Sequence, residues 1–381
     1  MSSGGLNMSR RIRRTPYTDK VEAAGVSGFS VVNHMLLPKA FQKSVAEDYW
    51  HLREHVQIWD VSVQRQVEIK GKDASRLVQW MTSRDISKAS VGQCLYVPLV
   101  DENGGMINDP VLLKLEDNRY WLSIADSDVL LWAKGLALGA GIDVEINEPD
   151  VSPLAVQGPK AEDLMAKVFG EEIRKVGFFQ YGRFEFKGTS QIIARSGYSK
   201  QGGFEIYLDD STLGHNLWDT IWDSGQEFNI SPGCPNLIER IEGGLLSYGN
   251  EMTRQNNPLE CAMDEYVVLD GSIDFIGLTA LRKIQTLGIT KQIRAIVFDG
   301  KPCPTCSKPW PVMTGENSDL KIGEITSGIY SPRLEKNIGL SMIDRDYWNP
   351  GQEVTVLCAD DLIREGVVST LPLGEQRKTS D

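Results

Sequence analysis

Along the first 280 residues apolar and polar positions change places with short periods, broken at recognisable turn residues. Gln66-Val-Glu-Ile-Lys70 alternates with a period of two and reads as a strand ending at Gly71. Asp73 stands at an N-cap position. Beyond it, Leu77 and the pair Trp80/Met81 fall on one buried face of a helix over Ala74–Thr82. Strand-like runs follow at Cys94–Val100 and Pro110–Leu115. They are joined by Asp101-Glu-Asn-Gly-Gly105, whose glycines supply the positive φ of a tight hairpin turn. Trp121–Ile124 continues the sheet, and Ser127–Leu136 has helical spacing. A helix is expected over 40–55, after an irregular start and a Gly-punctuated segment ending at Pro38.

A second α/β block runs from about 150 to 250. Leu154-Ala-Val-Gln157 is a buried strand entering Gly158-Pro159, where proline is placed to open a helix over Ala161–Phe169. Strands are expected at 181–187, 190–196 and 203–208, and helices at 211–224 and 235–247. After about residue 280 Gly, Pro, Val and Ile rise and the helical period fades, and 285–381 reads as a separate, mainly β domain.

Composition adds limits. A chain of 381 residues suits two or three cores, and 41% hydrophobic with 24% charged residues is ordinary for a globular protein. The net charge of −12 works against nucleic acid and anionic membranes as partners. The basic group Arg10, Arg11, Arg13 and Arg14 reads as a solvated arm, and the acids Asp19 and Glu22 that follow argue against a transit peptide. No apolar run reaches the roughly 18–20 residues that span a bilayer. Six scattered cysteines fit a reducing compartment, so a cytoplasmic protein is expected.

Several motifs can be weighed against their chemistry. His51-Leu-Arg-Glu-His55 matches a zinc-binding H-x-x-E-H pattern, but only His34 and His215 remain as further histidines, and a solvated helix face is the better reading. Cys303-Pro-Thr-Cys306 is a lone C-x-x-C flanked by prolines and reads as a loop; no metal is expected. There is no G-x-G-x-x-G after a strand, no P-loop and no G-x-S-x-G. Gly104-Gly-Met-Ile-Asn108-Asp109 places a polar pair just past the hairpin. Ser196-Gly-Tyr-Ser-Lys-Gln-Gly-Gly-Phe-Glu205 is a Gly-rich loop entering an alternating strand. Glu205 faces away from Phe204 and Ile206. It meets solvent if the sheet has one covered face; if both faces are covered, a buried carboxylate needs a partner.

Taken in order, these segments resemble the aminomethyltransferase family, the T-protein of the glycine cleavage system and its folate-dependent relatives. Trp59-Asp-Val-Ser62 and Val67–Asp73 are similar to its first strand–helix block, and Asn103–Asp109 to its N-G-G-I-x-D-D turn. Val156-Gln-Gly-Pro159 resembles its Q-G-P motif, and Ser196–Ile206 its G-Y-T-G-E-x-G-x-E-I loop. Arg240–Gly249 resembles R-x-E-x-G-x-x-x-Y-G. Asn257-Pro-Leu-Glu260, Phe275-Ile-Gly277, Ile325–Pro332 and Ile338-Gly-Leu340 complete the series. Three departures stand out. The first acid after the turn is Asn108, Thr-Gly-Glu becomes Ser199-Lys200-Gln201, and the N-terminal aromatic segment becomes Val32–Pro38. The last two resemble the branch that demethylates dimethylsulfoniopropionate (DMSP).

The resemblance implies an α/β chain of three domains in a ring: 1–55 with 145–230, 56–144 with 231–284, and a barrel-like 285–381. Tetrahydrofolate would enter the central opening and accept a methyl group. Glu205 would hold its pteridine, whose N3–H and 2-amino group match a bidentate carboxylate. Arg240 would order the pocket, with Tyr198 and Tyr96 lining it. Asp109, with Asn108 beside it, would sit at the reacting centre. DMSP pairs a sulfonium with a carboxylate. Tyr198, Tyr96, Phe178 and Phe179 are aromatic candidates for the cation, Lys200 is the candidate for the carboxylate, and His34 lies in the variant N-terminal string. An aminomethyltransferase, an N-methyl amine demethylase and a folate-binding protein without turnover are the alternatives. The expected partners are these small molecules and a second copy of the chain.

Overall fold

The computed structural model describes residues 11–315 and 320–374; Arg10 and the two ends of the chain lie outside them. Two sheets pack face to face, and a closed barrel abuts both. The six-stranded sheet has the order Tyr181–Phe186, Thr189–Ala194, Gly203–Asp209, Val151–Gln157, Val56–Asp60, Ile230–Pro232. Every pairing in it is antiparallel except the last. One face carries Ile58, Val156, Phe204 and Ile206 against the helices Ala161–Phe169 and Gly214–Gly225. The five-stranded sheet has the order Glu145–Asn147, Gln66–Lys70, Arg119–Ser123, Val111–Glu116, Cys94–Tyr96. Leu77, Val78 and Met81 of the helix Ala74–Met81 cover one of its faces.

The remaining face of each sheet meets the other. Leu113, Leu115 and Trp121 from the five-stranded sheet form one cluster with Ile192, Ala194 and Tyr207 from the six-stranded sheet. Both sheets are therefore covered on two sides, which settles the Glu205 alternatives: at 4% exposure its carboxylate is buried between them.

The barrel order is Lys291–Phe298, Lys336–Asp344, Lys321–Ser331, Trp310–Thr314, Glu353–Leu357, Ile363–Ser369. Ile293, Ile338 and Leu340 on its outside pack on Tyr49, Ile238 and Ile241 from the helices Val45–Glu54 and Leu237–Gly243. Elsewhere Met342 packs on the cluster that holds Val100, Met106 and Phe275. Each of the three bodies thus touches the other two, which closes a ring. No helix among the described residues is long and apolar enough to cross a membrane.

Several boundaries differ from the sequence reading. Val56–Asp60 belongs to the six-stranded sheet and Glu145–Asn147 to the five-stranded one, so the chain changes sheets after residue 60 and after residue 147 rather than at 55 and 144. The expected strand Cys94–Val100 is two strands. Cys94–Tyr96 stays in the sheet, while Leu99–Val100, past Pro98, pairs with Met106–Asn108. The Gly-punctuated N-terminal segment is a hairpin of Gly28–Val32 and Met35–Ala40. Helical structure also persists past 280, in Leu278–Leu287. Asp73 does not cap its helix through its side chain, which instead accepts the Asp143 N–H at 3.1 Å. Two residues of the basic arm are ion-paired: Arg14 with Asp19 and Glu22, and Arg13 with Glu148.

Candidate functional site

The hairpin at Asp101–Gly105 is built as its composition demands. Asp101 Oδ1 accepts the N–H groups of Asn103 and Gly105 at 2.9 and 2.8 Å. A Cβ at Gly105 would stand 2.4 Å from the Arg254 carbonyl oxygen, so only glycine fits. The strand Met106–Asn108 leaves this turn and delivers Asp109.

Asp109 and Asn108 then part in their surroundings. Asn108 is fully buried; its Nδ2 donates to Ser127 Oγ at 2.8 Å and its Oδ1 accepts the Ala125 N–H at 3.0 Å. Both ends are spent on tying down the segment 125–127. Asp109 Oδ2 accepts the Tyr96 hydroxyl at 2.7 Å, while Oδ1 is shut off from solvent with no partner among the described residues. Burial pushes this carboxyl up to about 7, against the Tyr96 hydrogen bond that favours its charge. The Tyr96 ring stands edge-on to Tyr266 at 5.4 Å.

The loop 196–203 bridges the two ends of the site. At its start Ser196 Oγ donates to Glu205 Oε2 at 2.5 Å, the one hydrogen bond to the Glu205 carboxylate among the described residues. Burial raises the Glu205 carboxyl above its ordinary range, with the Ser196 bond opposing. Two residues on, at most about 7 Å of backbone, the Tyr198 hydroxyl donates to the carbonyls of Leu245 and Leu246 at 3.0 and 2.7 Å. Tyr198 feels the charges of Arg240, Glu251 and Asp109. Arg240 is 7% exposed and forms a bidentate pair with Glu251 at 3.0 and 3.3 Å; it also donates to Ser327 of the barrel. Burial disfavours its charge and Glu251 more than compensates. Arg240 therefore knits the ring together and has no free face of its own.

The other candidates are dispersed. Lys200 is exposed, with its ammonium unpartnered among the described residues and its stem laid over Gly243. Phe178 is 78% exposed. Phe179, at φ 55°, packs on the cluster of Cys94, Ala194 and Tyr207 that borders Glu205. His34 is an exposed residue at the tip of the N-terminal hairpin. His51 and His55 do share a helix face, with ring centroids 5.0 Å apart. Burial holds His51 down at about 4, and His55 Nδ1 lies 2.9 Å from Lys160 Nζ. Among the described residues no group of three or more His, Cys, Asp or Glu is placed to hold a metal ion. The Cys303 and Cys306 thiols are pushed up to about 12 and 11 by burial. A cavity of about 400 Å³ between Arg13, Arg65, Ser152 and Thr212 is lined by none of the candidates.

Sequence reasoning missed Glu251, which stands two residues past the Tyr248-Gly249 where the motif was taken to end, and Ser196, whose hydroxyl had no role assigned. It also missed Glu239, next to Arg240.

The fold, inside this site and outside it, holds several carboxyl groups away from solvation. Asp48 and Asp60 are raised to about 6, Asp109 to about 7, and Glu205 in the same direction, each first by burial. A carboxyl raised on folding stabilises the fold below its unfolded value near 4, and that contribution is lost as pH rises through the folded value. The ligand-free protein should therefore melt at a lower temperature at pH 8 than at pH 5.5, and Asp109→Asn should flatten the part near pH 7. Calorimetry over that window checks it; a midpoint that climbs with pH would contradict it.

The description "GCVT N-terminal domain" matches residues 17–271, and "Glycine cleavage T-protein C-terminal barrel domain" matches 291–373. The chain is 49% identical over 362 residues to the dimethylsulfoniopropionate demethylase DmdA of Ruegeria pomeroyi, covering 94% of this chain and 98% of that one. It is 33% identical over 342 residues to an aminomethyltransferase of Alkaliphilus metalliredigens, covering 87% and 90%. The glycine cleavage system aminomethyltransferase T of Bartonella henselae has the same fold at a TM-score of 0.85 and 22% identity, covering 96% of this chain and 99% of that one. With both domain descriptions matched and relatives aligned along nearly the whole length, the chain belongs to the glycine cleavage T-protein, or aminomethyltransferase, family.

Proposed function

We propose that this protein is a tetrahydrofolate-dependent demethylase. It moves a methyl group from the sulfonium of DMSP to N5 of tetrahydrofolate, giving methylmercaptopropionate and 5-methyltetrahydrofolate. The observation that carries the reading is 49% identity along 94% of the chain to a DMSP demethylase, against 33% to an aminomethyltransferase. The site agrees in kind. Asn108 has no polar atom left for a second catalytic carboxylate's work, so Asp109 acts alone.

Tetrahydrofolate fits the residues present. Glu205 is a buried carboxylate with a single hydroxyl partner, which suits the adjacent N–H donors of a pteridine edge. Arg240 and Tyr198 hold the surrounding wall. Bound there, the folate supplies a nucleophilic nitrogen, N5. The donor needs no metal and no covalent enzyme intermediate, because the C–S electron pair leaves onto sulfur as a neutral thioether while the new C–N bond forms. What the protein adds is alignment in a site emptied of water. It also supplies an acceptor for the proton that the methylated nitrogen sheds. Asp109 Oδ1 is that acceptor, since Tyr96 occupies Oδ2 and leaves Oδ1 without a partner. Lys200 receives the donor's carboxylate. All six cysteines are free thiols, which supports the cytoplasm as the place of work.

Incubating the purified protein with DMSP and tetrahydrofolate should yield 5-methyltetrahydrofolate and methylmercaptopropionate in equal amounts by mass spectrometry. Consumption of a lipoyl-carried aminomethyl group, with no methyl appearing on folate, would replace this reading by the aminomethyltransferase one.

A further inference from the structure

The helix Leu237–Gly243 carries three buried charges, Glu239, Arg240 and Glu242. Arg240 turns to Glu251. Glu242 turns to Tyr49, Ser331 and Arg333, accepting a hydrogen bond from each at 2.9, 2.5 and 2.8 Å. Glu239 turns the other way, to the loop that carries Lys200. Its Oε1 accepts the Lys200 backbone N–H at 3.0 Å and the Gln201 Nε2 at 2.8 Å; its Oε2 accepts from Arg53 at 3.3 Å. Asn236 Oδ1 fixes the helix start by accepting the N–H groups of Ile238 and Glu239 at 3.0 and 3.2 Å.

This contact explains a departure in the sequence. The resembled pattern Thr-Gly-Glu has an acid where Gln201 stands. With Glu239 at 2% exposure and 2.8 Å away, an acid at 201 would set two carboxylates against each other in a buried place, where like charges cannot both ionise. An amide donates instead. Between them Lys200 is pinned by its main chain to Glu239. Its side chain lies over Gly243, where a Cβ would come within 2.8 Å of Lys200 Cγ, and its ammonium stays unpartnered among the described residues.

We propose that Glu239 is a positioning residue for donor specificity: with Gln201 it holds the Lys200 ammonium ready for the carboxylate of the methyl donor. The inference rests on the reading of the donor as DMSP. It selects sulfonium donors that carry a carboxylate over those that do not.

The test compares wild type, Glu239→Gln, Gln201→Glu and the double variant on DMSP and on dimethylpropylsulfonium, which lacks the carboxylate. The readout is the ratio of kcat/KM between the two donors. Gln201→Glu should lower that ratio about ten-fold, the scale of one charge-assisted hydrogen bond, through KM for DMSP and not kcat. Glu239→Gln should lower it less. The double variant restores a carboxylate–amide pair with its ends exchanged, and should return the ratio to within about three-fold of wild type. Tetrahydrofolate affinity should not move. Additive losses without rescue, or equal losses on both donors, would overturn the role of Glu239 while wild-type turnover of DMSP stands. A wild type inert toward DMSP would instead sink the donor reading, and this inference with it.

Discussion

Replacing Glu205 with alanine should weaken tetrahydrofolate binding by about 1.5–3 kcal/mol, roughly 10- to 150-fold in Kd, the range for a hydrogen bond to a charged group. The strand places this carboxylate between two sheets, where water cannot solvate it and one serine hydroxyl is its sole partner among the described residues. Its charge is therefore costly in the ligand-free protein, as the upward shift records. A ligand that brings two parallel N–H donors offsets that cost, so the carboxylate favours binding and disfavours the empty fold. The isosteric Glu205→Gln separates the two effects. It should raise the melting temperature of the folate-free protein while weakening folate binding, because an amide turns one acceptor into a donor facing the ligand's donors. Calorimetric titration and thermal melts of the same preparation read both signs. Folate binding that survives either substitution would remove Glu205 from the pteridine site.

How far the chain could be read in advance depends on how local each signal is. The hairpin Asp101–Gly105 and the strand Gly203–Asp209 were legible because backbone sterics and alternation are written in adjacent residues. The helix Ala161–Phe169 was legible for the same reason, in its turn chemistry and apolar spacing. Sheet membership was not. Val56–Asp60 is buried along its whole length, so its apolar pattern carries no face to say which sheet it joins; its register with Leu154–Gln157 is a non-local choice. The split at Pro98 carries a local signal that was passed over, since proline lacks the N–H a central strand needs.

The site was legible in its parts and not in its couplings. Glu205 stood out as an acid in an apolar alternation, but whether it faced water depended on a second sheet from another stretch of chain. Asn108 and Asp109 look alike in sequence; the structure separates them because one side chain finds both partners in the segment 125–127 and the other finds only Tyr96. Arg240 could be singled out as a motif residue. Its commitment to Glu251 and Ser327 depends on how the barrel docks, which no local pattern encodes. Lys200 is the reverse case: the substitution was visible, and only the structure supplies its counterpart, Glu239.

Asp109→Asn should cost about 10²- to 10⁴-fold in kcat, the range for loss of a general base, and leave the Kd for tetrahydrofolate nearly unchanged. That split places the lost interaction at the reacting centre rather than in binding. The pH dependence follows from the same carboxyl. An acceptor must be ionised, and burial puts its midpoint at about 7, so wild-type kcat should fall with a one-proton slope as pH drops through that value. Asp109→Asn, with nothing to titrate there, should leave a flat residual rate. Tyr96 supplies a finer control. Its hydroxyl favours the ionised form by donating to Oδ2, so Tyr96→Phe removes a stabilising hydrogen bond from the charged state alone. The acid limb should then move to higher pH, while the rate on its plateau stays far above that of Asp109→Asn. A limb that keeps its position in Tyr96→Phe would assign the inflection to a group other than Asp109, even if the Asp109→Asn enzyme were inactive.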